Sequence, residues 1–275
     1  MIALACMIYL YFLSGAIQAS DDQHDATVTH VSRVGIRANG VLPEVGLSDY
    51  QQISSQHLGY TLQYRVFFPK VKSYTKLPVI YLTDGPGFIY YGKIIPLIER
   101  LIKQNKIEPV IAVFVDSREP ENLKNNRRNL EFFCNPKYAS FFIDELVPSI
   151  DTGYPTVAQP SHRVIAGLSF GGLNAACFGL LANHYFGGIG MLSPAMHPVP
   201  AIFEYYQQSE KLPLKFFLST GTVGDNEGKT RRFLRILKEQ GYPVQYKEVR
   251  NGRHDWKNWK PLLDDLLIYF FAKKD

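Results

Sequence analysis

Ser169 stands in the run Gly167-Leu168-Ser169-Phe170-Gly171-Gly172, after the apolar Val164-Ile165-Ala166 and before the small-residue Leu173-Asn174-Ala175-Ala176. A strand, a glycine-flanked serine and a helix, in that order, form the context of a nucleophile elbow, Gly-x-Ser-x-Gly. The spacing has a steric cause. A turn sharp enough to lift the serine clear of a sheet leaves no room for a side chain at Gly167 or Gly171. The hydroxyl then stands at a helix N-terminus, where free amides and the helix dipole favour developing negative charge. The Phe170 N–H is one donor an oxyanion would meet there. The plainer alternative is a glycine-rich turn whose serine caps the helix at Gly172 or Leu173.

A serine hydroxyl needs a base to take its proton, and the base needs an acid to hold its tautomer. Both have candidates downstream, in the order acid, then histidine. Of the seven histidines, only His254, in Asn251-Gly252-Arg253-His254-Asp255-Trp256, falls in a turn between a late strand and a helix. It would take the Ser169 proton and return it to the leaving group. The acid falls in Gly221-Thr222-Val223-Gly224-Asp225-Asn226-Glu227. Asp225 is the first choice and Glu227 the rival; the one not used is expected as a carboxylate at a helix N-terminus. A second oxyanion donor is expected from Asp84-Gly85-Pro86-Gly87. Pro86 has no N–H, which leaves Gly85 or Gly87.

These residues need a scaffold, and the hydrophobic pattern supplies one. Residues 60–69 alternate as an early antiparallel strand. Residues 77–83 and 109–115 are continuous apolar runs, as buried parallel strands are. Later strands are expected at 187–193, 214–219 and 244–249, besides the one leading to Ser169. Helices are expected near 94–104, 138–147 and 230–240, with an amphipathic terminal helix marked by Leu262, Leu263, Leu266, Leu267 and Phe270. Residues 84–87 read as a strong turn, and 116–135 as a long charged loop, a length that is uncommon unless it serves a purpose. Residues 42–55 are ambiguous. The alternation of strand and helix predicts an α/β fold: a mostly parallel central sheet with helices on both faces.

Composition narrows the class further. A chain of 275 residues, 46% hydrophobic and 20% charged, can bury a large core and is not a disordered type. The net charge of +5 is mild. No basic run is interleaved with aromatics, so no nucleic-acid partner is expected. The first twenty residues carry no charged side chain. An apolar run from Ile2 to Leu13 followed by Ser14-Gly15-Ala16 and Gln18-Ala19-Ser20 predicts a signal peptide over 1–20, too short for a comfortable membrane span. The expectation is an exported chain, periplasmic or secreted, with a polar arm over 21 to about 40, one domain over 21–275 and no stable membrane span once processed. Cys6, after Leu4-Ala5, would be a lipidation site only if translation began upstream. The three cysteines make no disulfide framework. Cys177 is expected as a small buried hydrophobe, and a Cys134–Cys177 bridge is allowed in an oxidising compartment.

Together the motifs resemble the esterase family of α/β-hydrolases that includes enterochelin esterases, feruloyl esterases, S-formylglutathione hydrolase and the mycolyltransferases. The enterochelin-esterase branch is the most similar. The residues that carry the resemblance are Leu82-Thr83-Asp84-Gly85, Arg128-Asn129-Leu130-Glu131, Phe142 with Glu145-Leu146-Val147-Pro148, the serine motif, and His254-Asp255-Trp256-Lys257-Asn258-Trp259. It covers about 60 to the C-terminus. It implies an α/β-hydrolase fold and hydrolysis of a small-molecule carboxylic ester through an acyl-enzyme on Ser169, with no metal and no organic cofactor. Siderophore-like or aromatic esters are the implied substrates. Asp84, Arg118, Arg128 and Trp256 are then candidate substrate-binding residues, the arginines facing negative charge; surface ion pairing is their alternative. Trp256 and Trp259 wall the pocket or anchor the last helix. The same triad would also serve acyl transfer to an alcohol, and the same fold a ligand-binding scaffold without catalysis. Three positions depart from the family pattern: Pro86 stands where some relatives donate an amide, the acid loop is one residue longer, and Arg253 replaces a glycine before the histidine.

Overall fold

The structure is a computed structural model that describes residues 43–73 and 75–273. The expected signal peptide, the polar arm and Cys6 lie outside the described residues. The chain runs β1 (Gly46–Leu47), β2 (Gln51–Ser54), β3 (Thr61–Phe68), β4 (Val79–Thr83), α1 (Gly85–Tyr90), α2 (Ile94–Lys103) and β5 (Ile111–Asp116). Then come β6 (Arg118–Glu119), β7 (Asn122–Asn126), α3 (Arg128–Phe132), α4 (Pro136–Phe141), a π turn (Phe142–Leu146) and α5 (Val147–Gly153). The second half holds β8 (Arg163–Leu168), α6 (Phe170–Leu181), β9 (Gly188–Leu192), α7 (Ile202–Gln208), β10 (Lys215–Gly221), α8 (Glu227–Glu239), β11 (Val244–Val249) and α9 (Trp256–Phe271).

Among the described residues, nine strands form one sheet in the order β1-β3-β5-β4-β8-β9-β10-β11, with β2 also on β3. The pairs from β5 to β11 are parallel, and β1, β2 and β5 pair with β3 antiparallel. Every residue of β4, β5, β8 and β9 is buried, because helices cover both faces of a parallel sheet. The strand period of two divides the core. Val79 and Tyr81 of β4 join one cluster, with Phe142, Phe178 and Phe186. Ile80 and Leu82 join the other, with Ile98, Leu101, Leu263 and Leu266. Thus α4 to α8 lie on one face, and α1, α2 and α9 on the other.

The expected α/β architecture is therefore present, with local corrections. The stretch 116–135 is not one loop. It folds into the β6–β7 hairpin, whose second strand is fully exposed, and the short α3. Residues 84–87 are not only a turn: with Pro86 in the first turn they open α1, where a proline's missing N–H costs nothing. The helix expected at 138–147 extends over 136–153 and widens into the π turn just before Pro148, which has no N–H for the preceding turn. The ambiguous 42–55 supplies β1 and β2. The helix α7 was not expected; its Glu-Tyr-Tyr-Gln-Gln content hides a buried stripe of Ile202, Phe203 and Tyr206. Cys177 is buried but not a free thiol: it is disulfide-bonded to Cys134, with Cα atoms 5.0 Å apart. The bridge ties the segment after α3 to the middle of α6, the helix that begins at the elbow.

Candidate active site

The carboxyl ends of β4, β5, β8, β9, β10 and β11 lead to Asp84, Asp116, Ser169, Ser193, Asp225 and His254 in turn. In open α/β sheets this is the edge where ligands bind.

Ser169 has φ 56° and ψ −118°, a sparsely populated backbone conformation for a residue with a side chain. A Cβ at Gly167 would collide with the backbone of Gly171, and one at Gly171 would lie 3.1 Å from Thr83 Oγ1. The glycines are thus there for close approach. The Ser169 N–H donates to Leu192 O (2.9 Å), and its carbonyl accepts from Gly172, Leu173 and Ala195. Its side chain makes no capping bond, so the hydroxyl is not spent on the helix. The Phe170 N–H opens α6, a position with no intrahelical partner.

Ser169 and His254 both line an open cleft of about 440 Å³. Behind His254, its Nδ1 lies 2.5 Å from Asp225 Oδ1. Asp225 is fully buried. Its Oδ2 accepts from Ser193 Oγ (2.5 Å), from Asn258 Nδ2 (2.9 Å) and from the Gly221 N–H. Burial pushes this carboxyl up, but the hydrogen bonds from His254, Ser193 and Gly221 outweigh burial and hold it below the ordinary carboxylate range. Glu227 does not meet His254. It opens α8 and accepts the Asp225 N–H at Oε2 (3.0 Å). Gly224 and Asn226, both at φ 61°, turn the chain so that Asp225 points in and Glu227 starts the helix.

The loop after β4 is committed more fully than its sequence suggests. The Gly87 N–H donates to Asp84 O (2.8 Å), and closes the turn. Gly85 packs on β5, where a Cβ would lie 2.6 Å from the Phe114 carbonyl carbon. It opens α1, so its own N–H has no intrahelical partner. Both arginines line the cleft, and both are ion-paired within it. Arg128 Nε lies 2.7 Å from Asp84 Oδ1, and its Nη2 donates to Asp84 Oδ2 (2.8 Å) and to Leu168 O (3.1 Å). The pair braces the residue just before Ser169. Arg118 grips Asp116 in the same two-pronged way, at 2.8 and 2.7 Å. Planar arginine–carboxylate forks are strong and directional, so neither guanidinium presents a free charge. Trp256 lines the cleft and stacks on Tyr91 at 6.1 Å, so it both walls the cleft and seats the start of α9. Asp116, Ser193 and Asn258 were not singled out from the sequence. No local signal marks them, since each acts across the sheet edge. Among the described residues no group of acidic, histidine or cysteine side chains is placed to hold a metal ion, and no helix is long and apolar enough to cross a membrane.

A parallel sheet with a strained serine at its carboxyl edge and a histidine backed by a buried aspartate defines the α/β-hydrolase class. Residues 55–270 match the family described as "Putative esterase". The chain belongs to that family. It is 26% identical over 203 residues to an endo-1,4-beta-xylanase/feruloyl esterase of Xylanibacter ruminicola, covering 71% of this chain but 26% of that protein. The chain thus spans about a quarter of that relative's length. A solved ferulic acid esterase shares the fold at TM-score 0.71 and 22% identity, covering 83% of this chain and 98% of that one. The enterobactin esterase of Shigella flexneri does so at TM-score 0.72 and 21% identity, covering 83% and 60%.

Proposed function

We propose that the chain is a serine carboxylic-ester hydrolase in which Ser169 is the nucleophile, His254 the general base and Asp225 the acid. The observation that carries this reading is the His254 Nδ1–Asp225 Oδ1 contact of 2.5 Å behind a cleft that Ser169 shares. With Nδ1–H bound to a carboxylate, the Nε2 lone pair is left for the Ser169 proton. Ser169 attacks the ester carbon, the amides of the elbow receive the oxyanion, and His254 protonates the departing alkoxide. Water, deprotonated by the same imidazole, then releases the acid. Phe170 supplies one oxyanion amide. Gly85 is the better second candidate, because the Gly87 N–H is already donated within its turn.

An aromatic acyl group suits the cleft best. Tyr91 and Trp256 form a stacked aromatic wall, and the feruloyl and ferulic acid esterases named above are relatives. Siderophore-like esters with multiple negative charges are less favoured, because Arg118 and Arg128 are both neutralised by aspartates. Arg128→Ala should therefore slow neutral and anionic esters alike, by loosening the elbow. A selective loss on the anionic ester would restore the charge-recognition role. Export remains part of the proposal: the signal-like 1–20 and the Cys134–Cys177 bridge both suit an oxidising compartment.

Fluorophosphonate labelling of wild type, Ser169→Ala and His254→Ala, followed by a panel of aryl and alkyl esters with added alcohols, tests the reading. Labelling of wild type alone with faster turnover of methyl ferulate than of methyl hexanoate is expected. A folded wild type that does not label would overturn it in favour of a binding scaffold. Ester products with the added alcohols would make it an acyltransferase.

A further inference from the structure

The triad reading leaves open what holds Asp225, and the side of its carboxylate that faces away from His254 has an ordered set of donors. Trp259 Nε1 lies 2.8 Å from Ser193 Oγ, and Ser193 Oγ lies 2.5 Å from Asp225 Oδ2. The hydrogens along this chain can be placed by elimination. An indole N–H only donates, so Ser193 Oγ accepts from Trp259. The serine's own hydrogen must then go to its other partner, Asp225 Oδ2. Asn258 Nδ2 (2.9 Å) and the Gly221 N–H donate to the same oxygen. An oxygen that accepts three donors carries no proton. Oδ1 is thus left for His254, and the donors on Oδ2 favour the ionised carboxylate, in keeping with a carboxyl held below its ordinary value. Trp259 also meets the imidazole directly: the two rings are perpendicular, with centroids 4.9 Å apart. Ser193 is fully buried and Trp259 nearly so, so water does not compete for these bonds.

We infer that Trp259 and Ser193 form a directed relay, indole N–H to serine hydroxyl to Asp225 Oδ2, that fixes the carboxylate and through it the tautomer and tilt of His254. Both are positioning residues: neither touches the reacting atoms. The inference rests on the triad reading of the site. Among the described residues, the ionisable groups that meet Asp225 are His254 at Oδ1 and Glu227 at the backbone N–H.

The test compares Ser193→Ala, Trp259→Phe, the double variant and Asp225→Asn, by kcat and KM against pH on one aryl ester, with circular dichroism to verify folding. Trp259→Phe keeps an aromatic ring in the core and removes the N–H donor together with the five-membered ring that bears it, so the readout is the coupling to Ser193→Ala and not the single-variant loss alone. Losing one hydrogen bond to a buried charge should lower kcat by about 10- to 100-fold in Ser193→Ala, with KM little changed. Its acid limb should move to higher pH, because a carboxylate with fewer donors holds the His254 imidazolium more tightly. Trp259→Phe should have a smaller effect in the same direction, and that effect should vanish in the Ser193→Ala background. Additive effects, a change in KM alone, or loss of thermal stability with an unmoved pH profile would overturn the relay. A collapse of kcat in Asp225→Asn while both relay variants stay at wild-type rates would reject the relay and leave the triad standing. Full activity in Asp225→Asn would reject the triad itself.

Discussion

Asp225 and Glu227 are two residues apart with the same charge, yet their surroundings give them different work. Asp225 is sealed in and met by four donors; Glu227 sits half-buried at the start of α8. Asp225→Asn should lower kcat by about 10²–10⁴-fold, because the amide cannot hold the imidazolium or its tautomer. Glu227→Gln should leave kcat near wild type and cost about 0.3–1 kcal/mol through the helix dipole. The reverse pattern would hand the acid's role to Glu227. The depressed Asp225 carboxyl also has a stability sign. Its folded value lies below its unfolded one, so its contribution is present above the ordinary carboxylate range and is lost as pH falls through the folded value. Urea midpoints taken between neutral and strongly acid pH should therefore fall less in Asp225→Asn than in wild type. The sequence could offer the two acids but not choose between them. The choice is made by two left-handed residues, Gly224 and Asn226, and by Ser193, which arrives from a different strand.

At the scale of elements, the segment from β6 to α3 lines the cleft through Arg118, Asn126 and Arg128, and it was also the least legible. Its charges read as loop, and the strand signal of Asn122-Leu123-Lys124-Asn125-Asn126 is absent because β7 buries nothing. By contrast, β4, β5, β8 and α2 were legible to within one or two residues, because apolar runs there answer to one core on each face. The short α3 carries Arg128 to the elbow and is held from both ends. On its C-terminal side the Cys134–Cys177 bridge pins the chain to α6 across 43 residues. Replacing both cysteines by serine should cost about 2–4 kcal/mol, read as a lower urea midpoint, with Arg128-dependent activity lost before global unfolding. An unchanged midpoint would mean that packing alone holds the segment. Within α3, Glu131 is wholly buried, with Tyr60 Oη at 3.1 Å, and burial pushes its carboxyl up to about 7. Here the folded value is raised. The stability is full below the unfolded value of 4.5 and falls as pH rises toward 7, by a total of about 3 kcal/mol. Glu131→Gln should flatten that decline in urea midpoints measured at pH 5 and pH 8. A variant as pH-sensitive as wild type would assign the decline elsewhere.

Across the whole molecule, the site exists only when six strand ends are brought to one edge, since its groups come from Asp84 to Trp259. Its local pieces, such as the elbow around Ser169 and the stretch from His254 to Trp259, were legible as motifs, while the distances between them are set by strands far apart in sequence and were not. The consequence is cooperative. The helix α9 follows the His254 turn directly, carries Trp256 and Trp259, and buries Leu262, Leu263, Leu266, Leu267 and Phe271 in the core cluster shared with β4, β5 and β8. Exposing five such side chains forfeits about 8–15 kcal/mol of apolar burial, before the chain entropy regained by the freed helix is counted. Because that burial is shared with the sheet, the helix is expected to open with the sheet and not alone. The chain's two tryptophans are both in α9, so their fluorescence reports the site while circular dichroism reports the sheet and helices. With the disulfide intact, urea transitions followed by tryptophan fluorescence, circular dichroism and loss of fluorophosphonate labelling should coincide at one midpoint. Labelling and fluorescence lost at lower urea than circular dichroism would mean that α9 and the His254 turn open as a separate unit. The site would then be a mobile attachment to the sheet, and the relay through Trp259 could not be what steadies it.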